Sequence, residues 1–473
     1  MLEERSRLLR ERWIARVMVG VYIAFLVLIA AWGFYVVFYL LFLASWVVLA
    51  FVLPRLRSFD LVDSLALQKK LALVFVVALV VRFLMFGQDQ IITDDVLNYV
   101  TRGEAMLGGS IPYVDFYGGS KPPLYNLVVL TVSTLFGAGQ LQFRAVFSAV
   151  DALIAVLVLF LCRREAGERF ALSAALLYAL SPINVITIGF SGHFDPVPTI
   201  AVVISAVFLI SGRHRLSSLF LGLGFAFKLF GAALLPYYVS WTRTTANRAL
   251  NVVIFLLPMV LSLAGLYLLS EGALAAYLNE TSQWKGFWSF NQALGFAVGS
   301  GMLGPLKVSW VVMGIFVGVI LAMYASLWIR KEKESETILL WYKAVVLTFV
   351  FYWGLMVLDA WAQSPSDTDI LPFLLILAVY CLLAGFFLMR FRDTIFPKEL
   401  HAGRAERIVI ITTLAVALFC FGLPNYAPWY VIWFLPFLLA IRTDGIRLTL
   451  IALSVWHVMG AGVSLLPGLP PIN

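Results

Sequence analysis

The residues able to do chemistry gather in one polar interval, Gln88 to Leu124, with the sequence QDQIITDDVLNYVTRGEAMLGGSIPYVDFYGGSKPPL. It brings together Asp94, Asp95, Glu104, Asp115 and Lys121 in a chain where such residues are scarce. A carboxylate here can take a proton from a nucleophile, and a lysine beside it can meet an anion. Thr93 followed by Asp94 and Asp95 is a helix-capping signal, and Val96, Tyr99 and Val100 recur at helical spacing, so a helix is expected from the acids to Gly108 and Gly109. Neighbouring helical residues point about 100° apart, so Asp94 and Asp95 cannot both aim at one reacting atom. Asp94 is read as a general base, or as the anchor of a base or metal. Asp95 is read as its support, capping the helix or holding a basic neighbour, with Tyr99 behind it. Lys121-Pro122-Pro123 then re-enters an apolar run with a rigid step.

A second constellation is Ser191-Gly192-His193-Phe194-Asp195-Pro196. In an extended segment His193 and Asp195 point the same way, so they could share a phosphate, a sugar hydroxyl or a metal. Asp195 alone could equally cap the helix that starts at Pro196. Lys228, inside Phe225-Ala226-Phe227-Lys228-Leu229-Phe230, is the most isolated charge in the chain. An intramembrane base costs several kcal/mol unless it is paired or reaches water, so Lys228 either faces an anion in a cavity or snorkels to an interface. Arg82 is read the same way, as a phosphate ligand or a headgroup anchor. Tyr426, Trp429 and Tyr430 in Asn425-Tyr426-Ala427-Pro428-Trp429-Tyr430 form either an interfacial aromatic belt or a sugar-stacking surface.

The order acidic pair, tyrosine, Gly-Gly, Pro-Tyr, Lys-Pro-Pro-Leu resembles the first outer loop of integral-membrane glycosyltransferases of the GT-C superfamily. The segment around His193 is similar to a short outer motif of GT-C mannosyl- and glucosyltransferases, and that around Tyr426 to a late motif of polyprenyl-phosphate-mannose enzymes. The resemblance implies an all-α, polytopic fold and transfer of a hexose, mannose first, from a polyprenyl-phosphate-sugar donor to a lipid, glycan or protein hydroxyl on the outer face. On it, Asp94 matches the catalytic acid and Asp95 the acid often beside it. Lys121, Lys228, His193 and Arg82 would meet the donor phosphate. Asp95, Tyr99, Asp195, Tyr426, Trp429 and Tyr430 would support the site or the acceptor. No cofactor and no metal is implied.

These residues must be positioned by membrane helices. Hydrophobic residues make up 62% of the chain and charged residues 13%, with a mean hydropathy of +0.95, which excludes a soluble globule. No polar interval is long enough to fold separately, so the 473 residues are expected to form one membrane domain, residues 1–70 adding a helical hairpin and an inner loop before the first outer loop. Roughly a dozen spans are expected by the length rule.

The net charge of +8 reports topology before it reports any partner. Arg5 to Arg16, Arg55 to Lys70, Arg163 to Arg169, Arg213 and Arg215, Arg243 and Arg248, Arg330 to Lys343, Arg390 to Arg407 and Arg442 to Arg447 are assigned inside. That puts the N-terminus inside, and Asp94, His193 and the C-terminus outside. Two places strain a simple alternation. Pro122 to Cys162 is too long for one crossing and is expected to hide a re-entrant or surface piece near Gly137 to Arg144. Leu216 to Ser240 is expected to be two half-helices that enter and return on the inner side, broken at Lys228.

Cys162, Cys381 and Cys420 lie in or beside apolar runs without ligand spacing and read as core filler. No Walker or Rossmann glycine pattern is present, which disfavours nucleotide-sugar use, and no nucleic-acid partner is expected. A polyprenyl tail, by contrast, can stay in lipid while its phosphate reaches Lys121 or Lys228. The cell membrane of a prokaryote is preferred to the endoplasmic reticulum. A transporter or flippase of lipid-linked sugars stands as the alternative, because broken helices and buried bases suit it as well. The long acidic outer loop favours the enzyme, since moving a headgroup needs no fixed acid at one surface.

Overall fold

The computed structural model describes residues 2–32, 36–53, 62, 64–87, 95–116, 118, 121–282, 305–362, 392–422 and 430–463. Among them the regular elements are helices, and the one bridge outside them pairs Pro112 with Phe116. Three described helical stretches are long and apolar enough to cross a membrane: Gln140–Ala166, Glu168–Phe190 and Thr245–Leu269. A fourth, Gly314–Ile329 with Lys331–Val350, is bent by 99°. Six shorter apolar helices among the described residues supply further membrane-embedded segments. The chain is an all-α integral membrane protein.

The N-terminal pair α1 (Leu2–Trp32) and α2 (Val36–Val52) leads to α3 (Leu67–Phe83). The pair docks on the helix α7 (Glu168–Ala179), where Tyr22 Oη donates to the Leu180 carbonyl at 2.6 Å and Trp46 Nε1 to that of Leu177 at 2.9 Å. Next come α4 (Asp95–Leu107) and α5 (Leu124–Phe136). The over-long run from Pro122 to Cys162 is two pieces, but the extra piece is α5 itself, upstream of the expected Gly137 to Arg144, which is the turn and the start of the next helix. Gly137, in the left-handed region at φ 92°, ends α5, and α6 (Gln140–Ala166) makes the crossing alone.

Two stretches show how burial sorts the helices. The span Glu168–Phe190 is 94% buried inside the protein, whereas Thr245–Leu269 is only 22% buried. Val253, Leu256, Leu257, Val260, Leu261 and Leu268 on the latter are exposed, and in a bilayer they face lipid tails. The former is the hub. It ends in a short helix Pro182–Asn184 and a π-helical turn Val185–Phe190, from which the His193 segment emerges.

After that segment, α8 (Pro196–Ile210) runs back and α9 (His214–Phe227) returns beside it. Lys228 breaks α9 with extended backbone, φ −154° and ψ 137°. A 3₁₀ turn, Leu229–Leu234, then folds against α9 so closely that a Cβ on Gly231 would lie 3.0 Å from the Leu221 carbonyl oxygen. The chain goes back through α10 (Leu235–Ser240), so that His214 and Thr242 line one cleft at the start of the excursion. This is the broken, returning half-helix pair read from the sequence.

The remaining helices are α11 (Thr245–Leu269), α12 (Glu271–Ser282), α13 (Pro305–Ile329), α14 (Glu334–Ala362), α15 (Arg404–Gly422), α16 (Val431–Ala440) and α17 (Asp444–Val463). Segments assigned to one side by their charge meet at one end. Lys70 pairs with Glu168 at 2.7 Å, Glu165 accepts the Ala405 N–H at 2.8 Å, and Arg407 donates to Glu334 at 2.5 Å.

The contact of α9 with α11 is close enough to need a glycine. A Cβ on Gly222 would lie 2.1 Å from the Phe255 carbonyl oxygen, while one on Gly265 of α11 would meet nothing within 4 Å. Overpacking of this kind costs about 1–3 kcal/mol. In a detergent melt Gly222→Ala therefore lowers the melting temperature by several degrees, and Gly265→Ala leaves it unchanged or raises it. Equal melting temperatures for the two variants would refute this packing.

Candidate functional site

Three segments far apart in sequence carry the site. The first is the amphipathic helix α4, which buries Val96 and Tyr99 and leaves Asp95 at its start about a third exposed. The second is the turn after the π-helical segment. Ser191 N–H bonds back to the Ile186 carbonyl and Gly192 N–H to that of Ile188, and Gly192 takes φ 68°. A Cβ there would lie 2.9 Å from Arg144 Cγ and 3.1 Å from Val96 Cγ2, so only glycine passes between α4 and α6. Arg144 clamps the same turn, donating from Nε to the Gly189 carbonyl at 3.0 Å and from Nη2 to that of Met85 at 2.6 Å. The third is the break at Lys228.

The turn carries His193 and Asp195 between the other two. His193 Nδ1 lies 3.0 Å from Asp95 Oδ2 and 3.7 Å from Asp195 Oδ2. Asp195 precedes α8 but makes no side-chain cap bond. Its carboxylate instead pairs with Lys228 and accepts from Trp433 Nε1 at 2.7 Å. The backbone behind the turn is fixed by Tyr99, whose hydroxyl accepts the Phe194 N–H at 3.3 Å.

Lys121 closes one side of the site, 3.8 Å from Asp95 Oδ1 and over the rings of Tyr125 at 4.6 Å and Tyr99 at 5.4 Å. Its backbone is held by Tyr113, whose hydroxyl donates to the Lys121 carbonyl and accepts from Asn126 Nδ2, each at 2.9 Å. Tyr113 does this from the left-handed region, φ 68°, a conformation that costs a non-glycine residue of order 1–3 kcal/mol and gathers at working sites. Lys228 sits on the other side, over Trp433 at 4.6 Å and Tyr430 at 4.8 Å, two rings that stack on each other.

The electrostatics follow. Burial alone would raise the Asp95 pKa, but Lys121, the His193 hydrogen bond and the charge of Lys228 outweigh it and hold the carboxyl well below the usual carboxylate range. Asp195 is likewise held down against burial by Lys228, His193 and Trp433. Both stay ionised at any physiological pH.

The structure thus joins Asp95, Lys121, His193, Asp195, Lys228, Tyr99 and Tyr430. Asp94, Tyr426 and Trp429 lie outside the described residues. Arg82 requires correction. Rather than facing a phosphate or the headgroups, it is wholly buried, donating from Nε to Asp151 at 2.6 Å and from Nη1 to the Ala78 and Ala179 carbonyls. Tyr178 donates to the same aspartate at 2.6 Å and Asn184 at 3.1 Å. An acid inside an apolar run, as Asp151 is, signals a partner of opposite charge, and that signal was there to be read. Tyr125 gives no such sign, since an aromatic in an apolar run looks like any other core residue; Trp433 reads with Tyr430 as part of the late aromatic segment, and its bond to Asp195 is what the sequence does not show. Among the described residues no group of His, Cys, Asp and Glu could hold a metal ion.

The model of glycosyltransferase family 87 matches residues 122–358, half of the chain. The chain belongs to this glycosyltransferase family. The matched region begins one residue after Lys121 and contains His193, Asp195 and Lys228. The enzyme is also similar to the crystal structure of ArnT from Cupriavidus metallidurans bound to undecaprenyl phosphate, at 17% identity over 83% of this chain and 78% of that one, with a TM-score of 0.37. No curated protein matches it. Membership of a glycosyltransferase family decides against the flippase reading.

Removing one partner of a buried ion pair strands the other, at a cost of about 3–5 kcal/mol, whereas replacing both by apolar groups can be close to neutral. Asp195→Asn is therefore expected to destabilise the glycosyltransferase more than the double variant Asp195→Asn/Lys228→Met, read as melting temperatures in detergent. Additive losses would show that the two residues do not depend on each other.

Proposed function

We propose that this glycosyltransferase moves a hexose, mannose first among those to test, from a polyprenyl-phosphate donor to a hydroxyl of a lipid, glycan or protein acceptor. The transfer takes place at the outer face of a prokaryotic cell membrane. The observation that carries the reading is the convergence of Lys121 and Lys228 on Asp95, His193 and Asp195. Two cations held on aromatic faces, at one end of a body of apolar helices, suit a phosphate whose tail remains in lipid.

In this reading the acceptor oxygen attacks the anomeric carbon while the bond from that carbon to the phosphate oxygen breaks. The configuration inverts, and the polyprenyl phosphate leaves with its new negative charge facing Lys121 and Lys228. The acceptor proton needs a carboxylate. A base works best with a pKa near the operating pH, and Asp95, doubly engaged and held well below the usual range, is poorly matched to that task. Asp95 instead anchors His193 and Lys121, and Asp94, one residue earlier, takes the proton. Tyr430 and Trp433, buried and stacked on each other beneath Lys228, hold that lysine in place rather than offering an open ring face to a sugar.

The test is transfer of radiolabelled mannose and glucose from synthetic polyprenyl-phosphate sugars into a membrane lipid extract, with donor binding measured in parallel. Asp94→Asn is expected to bind donor normally and lose transfer by about 10²–10⁴-fold, the usual worth of a positioned acid or base. Asp95→Asn is expected to lose donor affinity as well as rate, because Lys121 and His193 lose their anchor. If Asp94→Asn transfers normally while Asp95→Asn binds donor yet cannot transfer, the base is Asp95 and the assignment falls. No transfer by wild type from either donor would sink the lipid-donor reading.

A further inference from the structure

At the opposite end of α9 from Lys228, about 20 Å away by the rise of a fourteen-residue helix, the protein has a polar cleft apart from the transfer site. It is a cleft of about 340 Å³ between the α8–α9 turn and the first turn of α11. One wall carries Arg213, His214 and Arg215; Thr242, Asn247 and Asn251 form the other, and no carboxylate lines it.

Four observations give this cleft a ligand chemistry. Arg213 and Arg215 make no ion pair among the described residues, so their charges stand uncompensated beside the opening. His214 Nδ1 is buried with no hydrogen-bond partner, and Arg404 adds its positive field from α15. The opposite wall is built and rigid. Asn251 Nδ2 donates to Thr242 Oγ1 at 2.8 Å with both residues buried, and Arg248 Nε donates to the Thr242 carbonyl at 2.9 Å. The α9 and α11 N-termini both open here, which adds the positive ends of two helix dipoles.

We propose that this cleft binds a phosphate group carried by a small anion or by the headgroup of an anionic phospholipid. The charge pattern excludes a cationic or zwitterionic headgroup as the preferred occupant, and the volume lies within the range of small-molecule sites. The cleft is independent of the transfer site, since its walls share no residue with Asp95, His193, Asp195 or Lys228. The positive-inside rule puts it on the leaflet where anionic lipids and cytoplasmic phosphates are found.

The test uses the full chain purified in phosphate-free detergent and reads the rise in melting temperature on titrating three probes: short-chain phosphatidylglycerol, short-chain phosphatidylcholine and inorganic phosphate. A ligand that binds the folded state raises the melting temperature by mass action. Wild type is expected to respond to phosphatidylglycerol or to phosphate, and not to phosphatidylcholine. Response to the lipid alone assigns a headgroup, and response to inorganic phosphate assigns a free anion. Arg213→Gln/Arg215→Gln is expected to weaken the response by tenfold or more in apparent affinity. Asn247→Asp is the control against mere unfolding. It adds an acid in the first turn of α11, where the helix tolerates it, so the unliganded protein keeps its stability while the response falls. If both variants respond as wild type does, the binding belongs to Lys121 and Lys228 and the proposal is wrong. Equal responses to phosphatidylglycerol and phosphatidylcholine overturn it too.

Discussion

The ion pair between Asp195 and Lys228 is the constraint on which the rest of this structure depends. Both charges lie among apolar helices, where an unpaired ion costs several kcal/mol. Neither is left to lipid, because Lys228 sits at the break of α9, Asp195 at the head of α8, and the two helices run side by side between them. Satisfying the pair brings in Trp433 from α16 as a donor to the same carboxylate and His193 as its neighbour. His193 in turn reaches Asp95, and Asp95 reaches Lys121. One electrostatic requirement therefore draws together segments separated by more than three hundred residues.

The same physics explains the second buried cluster. Arg82 and Asp151 neutralise each other in the interior, and the carbonyls of Ala78 and Ala179 take the remaining guanidinium donors. This cluster ties α3, α6 and α7 together directly beneath the π-helical turn, where Gly189 packs on the Arg82 backbone. The turn that presents His193 is therefore held from below by one ion pair and from the side by Arg144. A π-helical turn at the mouth of a site is a recurring device, since it re-aims the residues that follow.

Much of this was legible because polar residues are conspicuous in an apolar chain. Lys121, His193, Asp195 and Lys228 stand out by contrast alone, and the structure brings them together with Asp95. The break at Lys228 and the two pieces hidden between Pro122 and Cys162 followed from charge and length. What the sequence could not supply was pairing. Arg82 looked like a phosphate ligand because its partner is 69 residues away, and only the packing of α3 on α6 reveals that Asp151 consumes its charge. Asp195 read equally as a helix cap or as His193's partner at a site, and the fold decides by putting Lys228 beside it. Trp433 stood out only as one of the late aromatic cluster with Tyr430, not as a donor to Asp195, and Tyr125 carries no signal at all in a chain that is 15% aromatic.

The central claim is that the lysines beside Asp95 and Asp195 receive a lipid phosphate, and binding tests it most directly. Affinity for polyprenyl phosphate and for the uncharged polyprenol would be measured on wild type and on Lys121→Met, the lysine whose loss leaves the Asp195 pair intact. The account predicts that Lys121→Met loses at least tenfold in affinity for the phosphate and nothing for the alcohol. Equal affinities of the two proteins for polyprenyl phosphate would contradict it.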